Sequence, residues 1–311
     1  MTEIDLIINQ FILEEGKLYT LPELYQQLDE KIRSKSASID EIGELLGTDA
    51  ALSAKILKIA NSPLYGFRAE VTTLNRALNL IGLKEVKNLI LMDTVAQNFN
   101  KGDKYTAIRM EDFWQRSVYI ALIARKLAKR IKHPEPDRLF VSGIMSRIGQ
   151  LVCCLTSQKQ VLTITHQQQN EPDESEFSIE TNILGFSYNE ISGKLLKHWN
   201  VPEEITTPLQ NLHQPLNLSK EISESYRDEI YILHAATVYS HVLEQEEQQA
   251  LINAESEPVI ATSEVYVNKI DHKINQALMI DATVIDDIFF EIEMDALGIL
   301  GVVFPKSVSI F

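Results

Sequence analysis

The chain has 311 residues, 45% of them hydrophobic, so it can bury a sizeable core and wholesale disorder is excluded. Its formal net charge of -15 opposes the approach of nucleic-acid phosphates or of an anionic membrane surface. The only cysteines, Cys153 and Cys154, are adjacent; their side chains diverge on a helix, so they read as reduced, buried thiols of a cytoplasmic protein.

The first residues, MTEIDLIINQFILEEGK, have neither a basic leader nor a long apolar core, and no stretch elsewhere is expected to span a bilayer. Ile4, Ile7, Ile8, Phe11 and Ile12 predict an opening amphipathic helix that stops at Gly16. A second helix carries Leu24, Leu28 and Ile32 after Leu21-Pro22. Beyond the loop 34–38, Ser38 and Glu41 form a capping-box pattern for a short helix ending at Gly47. Thr48-Asp49 offers an N-cap to the next helix, with Leu52, Ile56, Leu57 and Ile59, which breaks at Asn61-Ser62-Pro63. Two further helices flank Gly82, and residues 98–105 gather turn formers into a linker between helical halves.

The second half opens with a long helix over 111–130, closed by His133-Pro134 and Pro136, whose basic last turn suits the helix dipole. Residues 139–155, LFVSGIMSRIGQLVCCL, read as one helix, with Phe140, Ile144, Ile148, Leu151 and Leu155 on one face. Beside that face Ser142, Gly143, Ser146, Gly149 and Cys153 make a stripe of small side chains against which something packs or binds closely. Arg147 borders the stripe, and a guanidinium taken out of water needs an anionic partner, a ligand or an escape route. The polar run 167–176, QQQNEPDESE, reads as a solvated acidic loop. Helices follow around Ile179 and Ile183 and around Ile191 and Leu195, the latter stopping at Trp199 to Pro202. A long helix covers 226–243, then come a solvated EQEEQQ, a joint at 253–258, a possible helix 262–277 and a hydrophobic tail at 285–303 with no assigned fold. Strand patterns are sparse, which makes the chain all-α.

No glycine-rich phosphate loop, paired-cysteine zinc pattern or strand-borne serine nucleophile is found. None of the seven histidines sits beside a carboxylate at a familiar metal spacing, so no metal and no cofactor is predicted and each reads as a surface or satisfied-core residue. The helix, Gly47, helix arrangement superficially resembles a DNA-reading unit, but Lys55 and Lys58 are a weak footprint on an acidic chain.

Several stretches together resemble the HD-related output domain (HDOD) family of bacterial signalling proteins. They are LYTLPELYQQL (18–28), IDEIGELLGTDAALSAKILKIANSPLYG (39–66), RALNLIGLKEVKNLIL (76–91), FWQRS (113–117), SGIMSRIGQLV (142–152), ILGFSYNEISGKLLKHWNVPEEI (183–205) and LHQP (212–215). Asn61, Ser62, Pro63, Tyr65, Gly66, Trp199 and Pro202 are the most specific positions in a match that covers roughly 18–245. The resemblance implies two packed helical subdomains, an N-terminal bundle (1–105) and a degenerate HD-like domain (106–250), followed by an accessory tail (251–311).

Related HD phosphohydrolases hold a metal with histidines and aspartates. By the resemblance, a first histidine position is Arg116 here, the His-Asp doublet is Ser146-Arg147, a further histidine is Tyr188, an adjacent pair is Leu212-His213, and a last aspartate is Thr237. Guanidiniums cannot ligate a cation, so catalysis is not expected. Converging arginines instead suit an anion, and Arg116, Ser146, Arg147, Tyr188 and His213 form a candidate anion pocket. The competing reading pairs each arginine internally, Arg116 with Asp112 for example. Three functions are weighed: a non-catalytic signal-transduction module working through signalling proteins or a small anion such as a nucleotide, a divergent metal-dependent phosphohydrolase, and a DNA-binding regulator. The first is preferred, without nucleic acid or membrane as partner, and the sequence leaves the oligomeric state open.

Overall fold

A computed structural model describes residues 3–15, 23–33, 38–99, 107–172, 174–252 and 263–303, and among them every regular element is α-helical. The expected stop at Gly16, most of the linker 98–105 and the joint at 253–258 lie outside the described residues.

The first half comprises α1 (Glu3–Glu15), α2 (Glu23–Arg33), α3 (Ile39–Gly47), α4 (Ala50–Ala60), α5 (Leu74–Ile81) and α6 (Leu83–Phe99). Its starts follow from local chemistry. Ser38 and Glu41 close the capping box reciprocally, Asp49 accepts from Leu52 N, and Thr73 accepts from Arg76 N. Gly82 separates α5 from α6 with φ +95°, a conformation that side chains disfavour. Of the two lysines on α4, Lys55 is turned inward onto Asp93 at 2.5 Å.

The second half follows with α7 (Met110–Arg130), α8 (Pro136–Met145), α9 (Ile148–Thr156), α10 (Gln158–Asn170), α11 (Glu176–Leu184), α12 (Tyr188–His198), α13 (Glu203–Asn211) and α14 (Lys220–Ile252). The tail holds α15 (Ser263–Asn268), α16 (His272–Leu278) and α17 (Ala282–Val303).

Four expectations change. Residues 139–155 are two helices, because Ser146 Oγ and Ser146 N both close on Gly143 O and Arg147 turns away at φ -107°, ψ 7°. The polar run 167–176 begins inside α10, which extends to Asn170, and its last residue, Glu176, starts α11 and is only 3% exposed. The helix expected at 262–277 is broken where Asp271 caps α16. The unassigned tail is α17, which lays Ile285, Ile288, Ile292 and Ile299 into the core. In addition, Pro136–Thr156 does reach the length and apolarity of a membrane span, and most of it is buried within the protein.

The buried apolar side chains form one connected cluster that runs through all three parts. α1 packs on α9 and α12, and α17 packs on both α7 and α4. Phe11 stacks on Phe99 and Phe99 meets Trp199 at a tilt of 42°, a series that crosses the halves with centroids 6.0 and 6.4 Å apart. The small stripe permits two close helix approaches. A Cβ at Gly143 would lie 2.6 Å from Ala121 Cα on α7, and one at Gly149 would lie 2.1 Å from Tyr188 O on α12. These two crossings hold the Ser146-Arg147 junction between α7 and α12.

Candidate functional site

At the α8–α9 junction Arg147 is 2% exposed and reaches α11, while Arg116 on α7, 5% exposed, reaches the same place. The two guanidiniums meet on one carboxylate. Arg116 Nη2 donates to both oxygens of Glu176 at 2.8 and 2.7 Å, and Arg147 Nη1 donates to Glu176 Oε2 at 2.8 Å. Arg116 also spans to α14, with Nη1 3.1 Å from Glu244 Oε2 and Nε bonded to Ser240 Oγ. Arg147 donates to Gln150 Oε1 at 3.1 Å and lies over the Tyr188 ring, 5.6 Å from its centroid.

A second carboxylate, Glu180, sits one turn along α11, fully buried, 3.7 Å from Arg147 Nη1 and accepting from Tyr188 N. The two acids are driven apart. Burial pushes Glu176 upward, but the guanidinium of Arg116, then His241 and Arg147, outweigh it and hold the carboxyl at about 2. Burial together with the negative charge of Glu176 raises Glu180 to about 8, only partly opposed by Arg147. Glu176 therefore stays ionised and Glu180 keeps its proton at neutral pH. Burial opposes the charge on Glu244 too, and Arg116 overrides it, leaving this carboxyl below its usual range.

The cluster forms the floor of a cavity of about 660 Å³. Arg116, Arg147 and Gln150 lie on it, α10 contributes Thr165, Gln168 and Gln169, and α14 contributes His241, Glu244 and Gln245. At the rim Arg109 is paired with Glu111 at 3.2 Å and Asp112 at 3.7 Å.

Of the five residues expected to form an anion pocket, only Arg116 and Arg147 reach this cavity. Ser146 is buried and bonds back to Gly143 O. Tyr188 lies beneath Arg147, within the protein. His213, at the end of α13, has Nε2 3.6 Å from Glu190 and is lowered by burial, against the opposing pull of Glu190. The pairing of Arg116 with Asp112 does not form; Asp112 faces Arg109 and Arg116 takes Glu176 and Glu244. Thr237, the last position of the implied ligand set, bonds to Leu233 O on its own helix. Both carboxylates that bind Arg116 lie in stretches that read as solvated in the sequence, Glu176 in 167–176 and Glu244 at the start of EQEEQQ.

The positions Asn61, Ser62, Pro63, Tyr65 and Gly66 build a different feature. Asn61 Nδ2 donates to Leu57 O and Val71 O, and its Oδ1 accepts from Val71 N, so one side chain closes the loop from Asn61 to Val71. Ser62 Oγ closes on Ile59 O, and Gly66 takes φ +59°. Arg125 on α7 then donates to Leu64 O at 2.8 Å, stands 5.4 Å over the Tyr65 ring and pairs with Asp137 on α8. Trp199 ends α12, and Pro202 starts α13. These residues hold the scaffold around the cavity and do not line it.

A curated relative, an uncharacterised protein of Treponema pallidum (strain Nichols), is 20% identical over 195 residues, which is 62% of this chain and 37% of that one. The chain spans only about a third of the length of the curated relatives it matches. The crystal structure of an HDOD domain protein with unknown function from Geobacter sulfurreducens superposes with a TM-score of 0.69 at 18% identity, covering 96% of this chain and 97% of the other. A candidate signal transduction protein from Marinobacter aquaeolei VT8 gives a TM-score of 0.63 at 16% identity, covering 98% of this chain and 65% of that one. These likenesses show the same all-helical fold. The HDOD domain matches residues 18–215, well over half of the sequence, and the chain belongs to the HDOD domain family.

Proposed function

We propose that the protein is a non-catalytic signal-transduction module that works in the cytoplasm through contacts with signalling proteins. The observation that carries the reading is the pair of buried arginines locked on Glu176. Metal-assisted phosphoester hydrolysis needs neutral or anionic donors around a cation that activates water. This floor carries two permanent cations; the ionised carboxylate between them, Glu176, is taken on both oxygens, and Glu244 is paired with Arg116. Among the described residues no three histidine, cysteine or acidic side chains converge as a metal site would require. The free, buried thiols of Cys153 and Cys154, the latter pushed up to about 12 by burial, support a reducing compartment.

The test is elemental analysis of protein purified without chelator, coupled to a phosphodiester assay with bis-p-nitrophenyl phosphate. The expected result is no stoichiometric iron, manganese or zinc and no chelator-sensitive cleavage. Stoichiometric metal with chelator-sensitive turnover would overturn the proposal in favour of a divergent phosphohydrolase.

A further inference from the structure

The cavity beside the arginines has a volume of about 660 Å³, within the range of small-molecule sites. Its charges are already matched. The guanidiniums of Arg109, Arg116 and Arg147 face the carboxylates of Asp112, Glu176 and Glu244. An entering phosphate would have to part Glu176 from bonds of 2.7 to 2.8 Å and leave it ionised inside the protein, which is strongly unfavourable. The walls offer amides instead. Gln150, Gln168, Gln169 and Gln245 come from three different helices to the same space, with the Gln245 Nε2 already 3.1 Å from His241 Nε2. Gln150 gives its Oε1 to Arg147. Among the described residues the buried Nε2 of Gln168 has no hydrogen-bond partner, an unfavourable state that a ligand acceptor would relieve. Ile108, Phe113 and Pro172 supply apolar surface alongside.

A glutamine amide presents a donor and an acceptor in one plane, the complement of the donor–acceptor edge of adenine. A flat base gains further from apolar and aromatic contact. We propose that this cavity binds a net-neutral nucleoside of the adenosine type, its base edge on the Gln168 amide and its body against Ile108, Phe113 and Pro172, without chemical change. The proposal rests on the non-catalytic reading, since it takes the arginines as held by Glu176.

Calorimetric titration of the full chain with adenosine, AMP and inorganic phosphate tests it, each at about 50 and 500 mM NaCl. Adenosine should bind saturably and with the same affinity at both salts, AMP more weakly, and phosphate not at all. The double variant Gln168→Leu with Gln245→Leu, at partly exposed positions, should keep the parent's thermal melt and lose adenosine affinity by about tenfold or more. Absence of saturable adenosine binding overturns the proposal, as does binding that the double variant leaves unchanged. Phosphate binding that weakens with salt also overturns it, because it would show the arginines open to an anion. Failure here leaves the non-catalytic reading standing, whereas metal-dependent cleavage of bis-p-nitrophenyl phosphate would remove that reading whatever adenosine does.

Discussion

Arg116 and Arg125 leave the same helix, α7, and both are almost fully buried, yet they are answered differently. Arg125 meets one carboxylate, one backbone carbonyl and one aromatic ring, in a closed contact that ties the loop after α4 to α7 and α8. Arg116 shares an internal carboxylate with a second buried arginine and opens on a cavity. A single cation matched within a packed joint is a fastener. Two cations brought together at the floor of a cavity, with an acid held ionised between them, form an arrangement that is unfavourable to assemble and severe to unbalance.

Removing Glu176 should break that contrast most strongly. Glu176→Ala leaves two buried guanidiniums without their shared anion, and urea unfolding should show a loss of about 3–5 kcal/mol. Arg125→Met should lose less, about 2 kcal/mol, because Leu64 O loses a charged donor while Asp137, a quarter exposed, regains water. If Arg125→Met proved the more damaging, the distinction between fastener and site would be lost. Asn61→Ala removes three bonds around the loop that presents Leu64, and a loss of about 1–2 kcal/mol is expected from the same unfolding curves.

A further contrast is one of pH. Glu180 is raised to about 8 in the folded protein, so between the ordinary glutamate range near 4.5 and pH 8 the unfolded chain has released a proton that the folded chain retains. Stability therefore falls as pH rises through that window, and Glu180→Gln should flatten the fall, gaining on the parent between pH 6 and 8. Glu176 is depressed and acts oppositely: its contribution is present above the usual glutamate range and is lost as pH falls toward 2. A parent and a Glu180→Gln variant with parallel stability profiles from pH 5 to 8 would show that Glu180 is not the protonated member of the pair.

Much of the fold is legible from short-range chemistry. The capping box at Ser38 and Glu41, the cap at Asp49, the break at Asn61 and the divide at Gly82 all depend on residues within one turn, and each forms as the spacing implies. Arg147 could be read as a cation needing an anionic partner, because its apolar neighbours fixed its burial. The identity of that partner was hidden. Glu176 ends a run of glutamine and acid that reads as a solvated loop, and what buries it is tertiary packing. A fainter signal lay in the next turn, where Glu176 and Glu180 alternate with Ile179 and Ile183 at helical spacing and so share a face with apolar side chains. Glu244 was missed for a similar reason, since it begins an acidic, polar run and only α14 carries it back to Arg116. The break at Ser146-Arg147 was hidden by an apolar pattern that continues in phase across it. α17 is apolar on several sides, so its periodicity gave no clear face.

Arg147 is committed to Glu176 within the protein. A double-mutant cycle of Arg147→Met and Glu176→Gln, followed by urea unfolding, tests it most directly. A coupling energy of about 2 kcal/mol or more is expected, the double variant being much less destabilised than the two single changes together. A coupling near zero would contradict it, and would mean that the arginine is free for another anion.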